Sequence, residues 1–343
     1  MSRWKNRPEG SNWGDFGPDD QIGRLNLLTP EKVRQGVAEV KEGRSFCLSL
    51  PLDLPGGNLL NNARHPPQRF ATRTPEGQDR YLLRIGDINP DHFDVVNDDR
   101  VMIHTQYSTQ WDALAHVGAE FDADGDGVAE KVFYNGWRGG EHIAPGAPCE
   151  DCGGLTGVEA TKLGIENMAE TCVQGRAVMI DLHAMHGDAH VDIDYAGLSD
   201  AMAAQNVTVE AGDMVCFHTG FSRKIVEMGG KPDKKVLHGS CAALEGRDPE
   251  LQDWIRDSGI AALIADNYAV ERVPSRSGEG PRPFLPLHQL CLFKLGVPLG
   301  EIWWLTDLAN HLRENGRTRF LLTAPPLRLP GAVGSPVTPV ATL

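Results

Sequence analysis

Three short apolar segments separated by helix-like sequence limit the fold of this chain more than any other feature. They occupy residues 177–182, 213–221 and 260–267. Strands that are apolar along their whole length are typical of sheets covered on both faces, as parallel sheets are. Because strands alternate with helices and the composition does not shift along the chain, we predict one α/β domain.

Start and stop signals predict the elements around these strands. Residues 29–43 are predicted to form a helix capped by Thr29, with Pro30 at its first position and Gly43 after its end. Two more helices are predicted at 156–170 and 287–295, and a strand at 45–54. Within the single domain we place an N-terminal extension at residues 1–90 and the core at 91–343.

The loop predicted at residues 55–90 is rich in glycine, proline, asparagine and arginine. Long irregular segments of this kind in compact domains are often lids or binding loops. We therefore expect this excursion to contribute to a binding site.

The charge balance favours a small-molecule partner. The chain has 47 acidic and 33 basic residues and a formal net charge of -14, which repels nucleic acids and anionic membrane surfaces. The sequence has no secretory signal and no apolar stretch of about 18 residues, the length that spans a bilayer. We expect a cytoplasmic protein that binds neither nucleic acid nor membrane.

Several metal-like motifs are incomplete. Cys149 and Cys152 form a single CxxC, whereas a structural zinc site needs four ligands, so we predict free thiols. Residues 122–130 begin like a calcium loop, but Phe133 stands where the bidentate glutamate belongs, which predicts an acidic turn. The histidines of a predicted loop are expected to be solvated or to line a pocket wall; they are His183, His186 and His190.

The polar stretch QYSTQWDALAH at residues 106–116 is a candidate reaction centre. In an extended strand, residues four apart lie about 13 Å from each other, so the chain must curl for the polar groups to meet. A turn at Ser108 and Thr109 followed by a helix over 111–116 would bring Asp112 and His116 together. Such a pair can transfer protons, or it can be a capping aspartate and a buried histidine; the spacing alone leaves both open.

The same stretch resembles the signature H-x-G-T-H-x-D-x-P-x-H of the cyclase family, which includes bacterial kynurenine formamidase and isatin hydrolase. Thr109, Asp112 and His116 match without a gap, whereas Gln106 and Gln110 stand where the family has histidines. Ser108 and Leu114 replace the glycine and the proline. Similar segments at residues 13–33, 212–221, 286–305 and 331–341 extend the resemblance over nearly the whole chain.

The resemblance implies a swivelling β/β/α fold, commonly assembled as a homo-oligomer. It also implies a hydrolase acting on C–N bonds, similar to arylformamidases, or on lactones. Asp112 would be a metal ligand, His116 the general acid and base, and Glu301 a late ligand. The late histidine of the family falls on Gln289, next to His288, and one helical position turns a side chain by about 100°.

The two glutamines leave the metal chemistry open, because an amide oxygen is a poorer ligand for zinc than an imidazole. Either Asp112, His288 and Glu301, alone or with His104 or a glutamine oxygen, hold a divalent ion such as Mn²⁺, Mg²⁺ or Zn²⁺, or the site works without metal. In the metal-free alternative, the amides of Gln106 and Gln110 would donate hydrogen bonds to an oxyanion while His116, steadied by Asp112, moves the proton.

The predicted substrate is a small compound with an amide, cyclic amide or lactone bond. Trp111 and Trp303 lie in or beside the site segments and would suit an aromatic substrate, although core packing is the alternative for each. Two other functions remain: a lyase or cyclase that uses His116 for proton transfer without attack by water, and a ligand-binding pseudoenzyme.

Overall fold

A mixed sheet of nine strands lies at the centre of the part of the chain that the structure describes. The structure is a computed structural model that describes residues 3–149 and 155–343. The sheet order is β1-β9-β7-β3-β4-β5-β6-β2-β8. In chain order the strands are β1 (Ser45–Cys47), β2 (Gln110–Asp112), β3 (Gln174–Asp181), β4 (Met214–His218), β5 (Ala262–Ala265), β6 (Leu299–Glu301), β7 (Arg319–Thr323), β8 (Gly334–Pro336) and β9 (Val340–Thr342).

The four central strands, β3 to β6, are parallel neighbours. Antiparallel strands extend the sheet on both sides, with β7, β9 and β1 beyond β3 and with β2 and β8 beyond β6. The three apolar segments of the sequence are β3, β4 and β5, as predicted, and β4 and β5 are buried at every position. Polar residues at the carboxyl ends of these parallel strands share one edge of the sheet, where α/β proteins bind ligands.

Helices cover both faces of the sheet. The helices of the described residues are α1 (Pro30–Val37), α2 (Ile165–Glu170), α3 (Leu182–His186), α4 (Tyr195–Ala204), α5 (Phe221–Glu227), α6 (Lys234–Gly239), α7 (Pro249–Asp257), α8 (Pro286–His288), which continues as a π-helix (Gln289–Leu295), and α9 (Thr306–Glu314). Three short 3₁₀ helices are Gly23–Leu27, Ile85–Asp87 and Tyr134–Gly136. No helix in the described ranges has the length and apolarity needed to cross a membrane.

Two of the predicted helices, at residues 29–43 and 156–170, are shorter in the structure than predicted. Helix α1 begins after Thr29, whose side chain accepts a hydrogen bond from the backbone of Lys32, and it ends at Val37, earlier than predicted. The helix predicted at 156–170 is wrong in its first half, because Leu155–Ala160 is a strand paired with Ile143–Cys149. The strand pairing satisfies backbone groups that a helix would have paired within itself.

Alternating side chains of the central strands build a core on each side of the sheet. On β4, Val215 and Phe217 join one hydrophobic cluster, whereas Met214 and Cys216 join the other. This alternation follows from the two-residue period of a strand. A residue of the sheet can therefore be assigned to a face by its register.

The N-terminal segment is part of the central architecture. Strand β1 pairs with β9, and α1 packs on β3 and β7. The predicted excursion at 55–90 contains short strands rather than a single irregular loop. Besides the pair Ile143–Cys149 and Leu155–Ala160, the two-stranded sheets of the described residues are Gln68–Ala71 with Asp99–Met102, Leu83–Arg84 with Val95–Val96, Ala119–Phe121 with Glu130–Val132, and Asp192–Ile193 with Ala243–Leu244.

The acidic stretch at residues 122–130 and the histidine-rich loop form contacts of their own. The Asp122 carboxylate accepts hydrogen bonds from the backbone of Gly125, Asp126 and Gly127, which is the acidic turn predicted from the sequence. His183 contacts Asp188, with 3.1 Å between Nε2 and Oδ1. Cys152 of the CxxC motif lies outside the described residues.

Candidate active site

The polar stretch at 106–116 forms a strand and a turn. Strand β2 lies between β6 and β8, with Gln110 opposite Glu301 and Asp112 opposite Gly334. The helix predicted over 111–116 is wrong, because β2 pairs along both of its edges. The chain then turns, and the backbone N–H of His116 donates to the carbonyl of Ala113 at 2.9 Å.

This turn still brings Asp112 and His116 together. His116 Nε2 lies 3.8 Å from Asp112 Oδ1, which is too long for a hydrogen bond. The Asp112 carboxylate is fully buried, whereas the imidazole of His116 remains partly accessible. The pair thus joins a buried acid to a side chain that solvent or a ligand can reach.

Two buried carboxylates and an imidazole surround the side chain of Gln110. The Gln110 amide nitrogen donates to Glu301 Oε2 at 3.0 Å and to Asp112 Oδ1 at 3.3 Å. Imidazole nitrogen Nε2 of His288 lies 3.1 Å from Glu301 Oε1 and 3.8 Å from Asp112 Oδ2. Since its N–H groups are used by these carboxylates, Gln110 has no free donor for a substrate oxyanion.

His288, rather than Gln289, faces this cluster. The π-helix that begins at Gln289 fits one more residue into its turn than an α-helix does, which accounts for the offset of one position. Gln289 instead lines a separate surface cavity with Arg247 and Lys294. The register that the family resemblance left open is therefore occupied by a histidine.

Glu271 fixes the orientation of His288. Its carboxylate lies 2.9 Å from His288 Nδ1 and also accepts from the backbone N–H groups of His288 and Leu287, at 2.9 and 3.0 Å. With Nδ1 donating to this carboxylate, Nε2 is the nitrogen turned toward Asp112 and Glu301. A carboxylate on the far nitrogen is the usual support of a metal-binding histidine.

Burial and charge shift the pKa of each group. Burial, with the adjacent Glu301 carboxylate, raises the pKa of Asp112 to about 8. Burial lowers the pKa of His288, but the hydrogen bonds that its ring donates to Glu271 and Glu301 outweigh the burial and raise the pKa to about 10. Burial and the charge of His288 lower the pKa of His116 to about 4, so this imidazole is neutral at pH 7.

The donor set fits a divalent ion. One ligand atom each from Asp112, His288 and Glu301 lies within 4.8 Å of the others. Two buried oxygens, Asp112 Oδ2 and Gln110 Oε1, have no hydrogen-bond partner, which leaves them free to meet a cation. Carboxylate and amide oxygens with one imidazole suit Mn²⁺, Mg²⁺ or Zn²⁺.

Trp111 and Trp303 lie away from this cluster. Both are fully buried on the opposite face of the sheet, and their rings meet edge to face with centroids 5.0 Å apart. Trp111 donates to the carbonyl of Ala324 and Trp303 to that of Gln110. Their geometry is that of core aromatics, so we leave both out of the proposed substrate site.

Gln106 lies beside the cluster rather than in it. Its backbone carbonyl oxygen accepts a hydrogen bond from Arg64 Nη1 at 2.7 Å, and its side-chain oxygen Oε1 accepts one from Thr105 Oγ1 at 2.8 Å. His104 is turned toward His65, with ring centroids 5.8 Å apart. Neither Gln106 nor His104 contributes to the group of potential ligands.

Neither Glu271 nor Arg64 is marked as a functional residue by any motif in the sequence. Glu271 is 17 positions from His288 and follows a short apolar segment without any motif. Arg64 lies in the excursion, whose composition predicted a binding loop but no particular residue. The fold class was the available signal, since it places the residues that follow β5 next to β6.

Fold and site together define a mixed α/β protein with a buried carboxylate–histidine centre at the carboxyl edge of its parallel strands. The model of the cyclase family, described as "Putative cyclase", matches residues 48–272, and the chain belongs to this family. A comparison with curated proteins gives no match.

Solved structures give the same fold. A crystal structure of a novel cyclase is 32% identical, with 97% of each chain covered and a TM-score of 0.72. Isatin hydrolase A from Ralstonia solanacearum is 14% identical, with 87% of this chain and 91% of that chain covered and a TM-score of 0.54. An isatin hydrolase bound to the product analogue thioisatinate is also 14% identical, with 92% and 98% covered and a TM-score of 0.52. The predicted cyclase-like fold is confirmed.

Proposed function

We propose that this protein is a hydrolase that opens an amide, cyclic amide or lactone bond of a small compound. The observation that carries the proposal is the convergence of Asp112, His288 and Glu301 beside the accessible imidazole of His116. Membership of the cyclase family and the likeness to isatin hydrolases support a hydrolytic or cyclase-like reaction.

Asp112, His288 and Glu301 are the residues that would hold a divalent ion. When bound, such an ion would act as a Lewis acid toward the carbonyl of the substrate. Glu271 keeps Nε2 of His288 directed at the ligand position, and Gln110 holds the Asp112 and Glu301 carboxylates at a fixed separation. These residues position the reacting carbonyl and exclude bulk water from one side of it.

His116 is the group that moves the proton. As a neutral imidazole, it accepts a proton from the attacking water at Nε2 and returns that proton to the leaving nitrogen or oxygen. Against the effect of burial, the negative charge of the nearby Glu301 carboxylate raises the pKa of His116 and so favours the imidazolium formed between the two steps.

A second candidate is a lyase or cyclase that uses His116 for proton transfer without attack by water. The position of the Gln110 amide nitrogen favours it, because this N–H₂ group already bridges two carboxylates that a cation would otherwise bridge, and proton transfer by His116 alone needs no metal. The two functions differ in whether the product gains an oxygen atom from water.

The test combines a variant with isotope labelling. The wild type is assayed on aryl formamides, cyclic imides and lactones in ¹⁸O-labelled water, with mass spectrometry of the product. A hydrolase incorporates the label, and His116→Ala lowers turnover by about 10²- to 10⁴-fold while its thermal unfolding is unchanged. The exposed His92→Ala variant is the matched control. Turnover without label would favour the lyase or cyclase, and full activity of His116→Ala would exclude the proposed role.

A further inference from the structure

An arginine and an unpartnered glutamine amide share a small cavity beside the candidate active site. Arg64 and Gln106 both line this cavity, which has a volume of about 10 Å³. The amide nitrogen of Gln106 is buried and has no hydrogen-bond partner. The Arg64 guanidinium donates one hydrogen bond, from Nη1 to the carbonyl of Gln106.

The position of Gln106 connects the cavity to the catalytic carboxylate. Gly334 is the strand neighbour of Asp112, and a Cβ at Gly334 would lie 2.4 Å from the amide nitrogen of Gln106. The amide therefore lies directly over the backbone next to Asp112, in space that only a glycine leaves open. A ligand group in the cavity would be adjacent to the site proposed for the reaction.

Arg64 is half-buried, yet it forms no ion pair with any carboxylate of the described residues. The half-buried guanidinium is partly desolvated, and an anionic partner would offset the free-energy cost of that desolvation. An anion placed here would be held next to the reacting groups.

We propose that Arg64 and the amide of Gln106 form an anion subsite that binds a carboxylate of the substrate or of the ring-opened product. The inference rests on the proposed function, since hydrolysis of an amide or lactone leaves a carboxylate. A cavity of about 10 Å³ admits about one water-sized group, which matches one carboxylate oxygen. Guanidinium groups bind carboxylates through charge-assisted hydrogen bonds.

Apolar and aromatic side chains form the other walls of the cavity. Leu60, Tyr107 and Tyr268 surround the polar groups. Tyr107 is oriented by a hydrogen bond from its hydroxyl to the carbonyl of Gly57, and Tyr268 accepts one from Asn61. Because the cavity has room for about one carboxylate oxygen, the rest of the ligand would lie outside it.

The binding test uses benzoate and its neutral isostere benzamide, so that it does not depend on turnover. Calorimetric titration of the wild type is expected to show benzoate binding at least roughly tenfold tighter than benzamide binding, and weaker binding at high salt. Arg64→Ala is expected to remove this preference, and Arg64→Lys to restore part of it. Arg69→Ala is the control, because Arg69 is an exposed arginine in the same excursion.

Each outcome decides the inference. Loss of benzoate binding in Arg64→Ala alone supports it. Equal binding of both probes by the wild type, no measurable benzoate binding, or benzoate binding that survives in Arg64→Ala would overturn it. If Arg64→Ala fails to fold, Arg64→Lys and Gln106→Glu replace it, because the new carboxylate of Gln106→Glu would occupy the guanidinium and suppress benzoate binding.

A substrate test separates this inference from the proposed function. The wild type and Arg64→Ala are compared on an amide that carries a free carboxylate and on its methyl ester. A selective fall in kcat/KM for the free carboxylate supports the subsite. If no amide, imide or lactone is hydrolysed but benzoate binding still depends on Arg64, the proposed function fails and the subsite stands.

Discussion

The carboxylate of Glu271 holds His288 by both its ring and its backbone, with Nδ1 and the amide nitrogen each 2.9 Å from Oε1. This double contact leaves one orientation for the imidazole, in which Nε2 lies 3.1 Å from Glu301. Glu271 is thus a positioning residue, since it acts on the proposed metal ligands through His288.

Replacing Glu271 should weaken the proposed metal site without removing a ligand. In Glu271→Gln, one carboxylate oxygen becomes an N–H₂ group, so either Leu287 or His288 loses an acceptor. We expect Mn²⁺ affinity to fall about 10- to 100-fold in a calorimetric titration. Asp124→Asn, in the exposed acidic turn, is the control for nonspecific binding. Unchanged affinity in Glu271→Gln would show that His288 is not a ligand held by this carboxylate.

Trp111 should matter for stability rather than for catalysis. Trp111→Phe removes the hydrogen bond to Ala324, leaves that carbonyl buried and opens space next to Trp303. We expect a loss of about 2–4 kcal/mol in the free energy of unfolding, measured with urea. The kcat/KM of the folded variant should stay within about threefold of wild type. A large selective fall in kcat/KM would instead place Trp111 at the substrate.

The apolar strands could be predicted from sequence because their burial on both faces is visible in the residues themselves. Strands β3, β4 and β5 could be predicted without knowing which strands they pair with. Strand β2 could not, because QYSTQWDALAH has no apolar run and its extended form depends on pairing with β6 and β8. Pairing of that kind is decided by segments more than 180 residues later in the chain.

Only part of the candidate site could be predicted from the sequence. The family resemblance gave Asp112, His116 and Glu301 by register, but it aligned the late histidine with Gln289 and left His288 as the neighbouring candidate. The sequence does not reveal the π-helix that shifts the position by one residue. Trp303 lies beside the site in sequence yet faces the opposite core. Strand alternation would place it on the same face as Glu301, but the strand ends at Glu301 and the positive φ of Ile302, 55°, reverses the direction of the next side chain.

Gly334 should control the position of Gln106. The Cβ of Gly334→Ala would lie 2.4 Å from the Gln106 amide nitrogen and 3.0 Å from the carbonyl oxygen of Trp111. Because the amide ends a flexible side chain, we expect it to move while the fold is kept. Benzoate binding should then fall by roughly threefold or more, with unfolding monitored by circular dichroism as the control. Unchanged benzoate binding in the folded variant would argue against a contact between Gln106 and the anion.

A buried pair on the far face of the sheet, His218 and Asp181, should make the free energy of unfolding depend on pH in the acidic range. His218 Nδ1 lies 2.7 Å from Asp181 Oδ1. Burial raises the pKa of Asp181, but hydrogen bonding and charge from His218, with further contributions from Ala184 and Arg313, bring it below the usual 3.8. A lowered pKa contributes stability above the unfolded-state value, and that stability is lost as the pH falls through the folded-state value.

The corresponding variant is Asp181→Asn. Its deficit in the free energy of unfolding, relative to wild type, should be largest at neutral pH and should shrink below about pH 4. Urea unfolding across this pH range measures the difference. A deficit that stays constant down to the most acidic values would mean that the carboxylate charge of Asp181 contributes nothing to stability.

Hydrolysis by protein of known metal content tests directly whether the reaction depends on a divalent ion bound at the candidate site. The protein is purified without added metal, its divalent ions are quantified, and hydrolysis of the amide, imide and lactone panel is followed before chelation, after it, and after return of Mn²⁺. We predict a bound divalent ion that is lost in Asp112→Asn and Glu301→Gln, and hydrolysis that stops on chelation and resumes with Mn²⁺. Full hydrolytic activity of the metal-free protein would contradict the account.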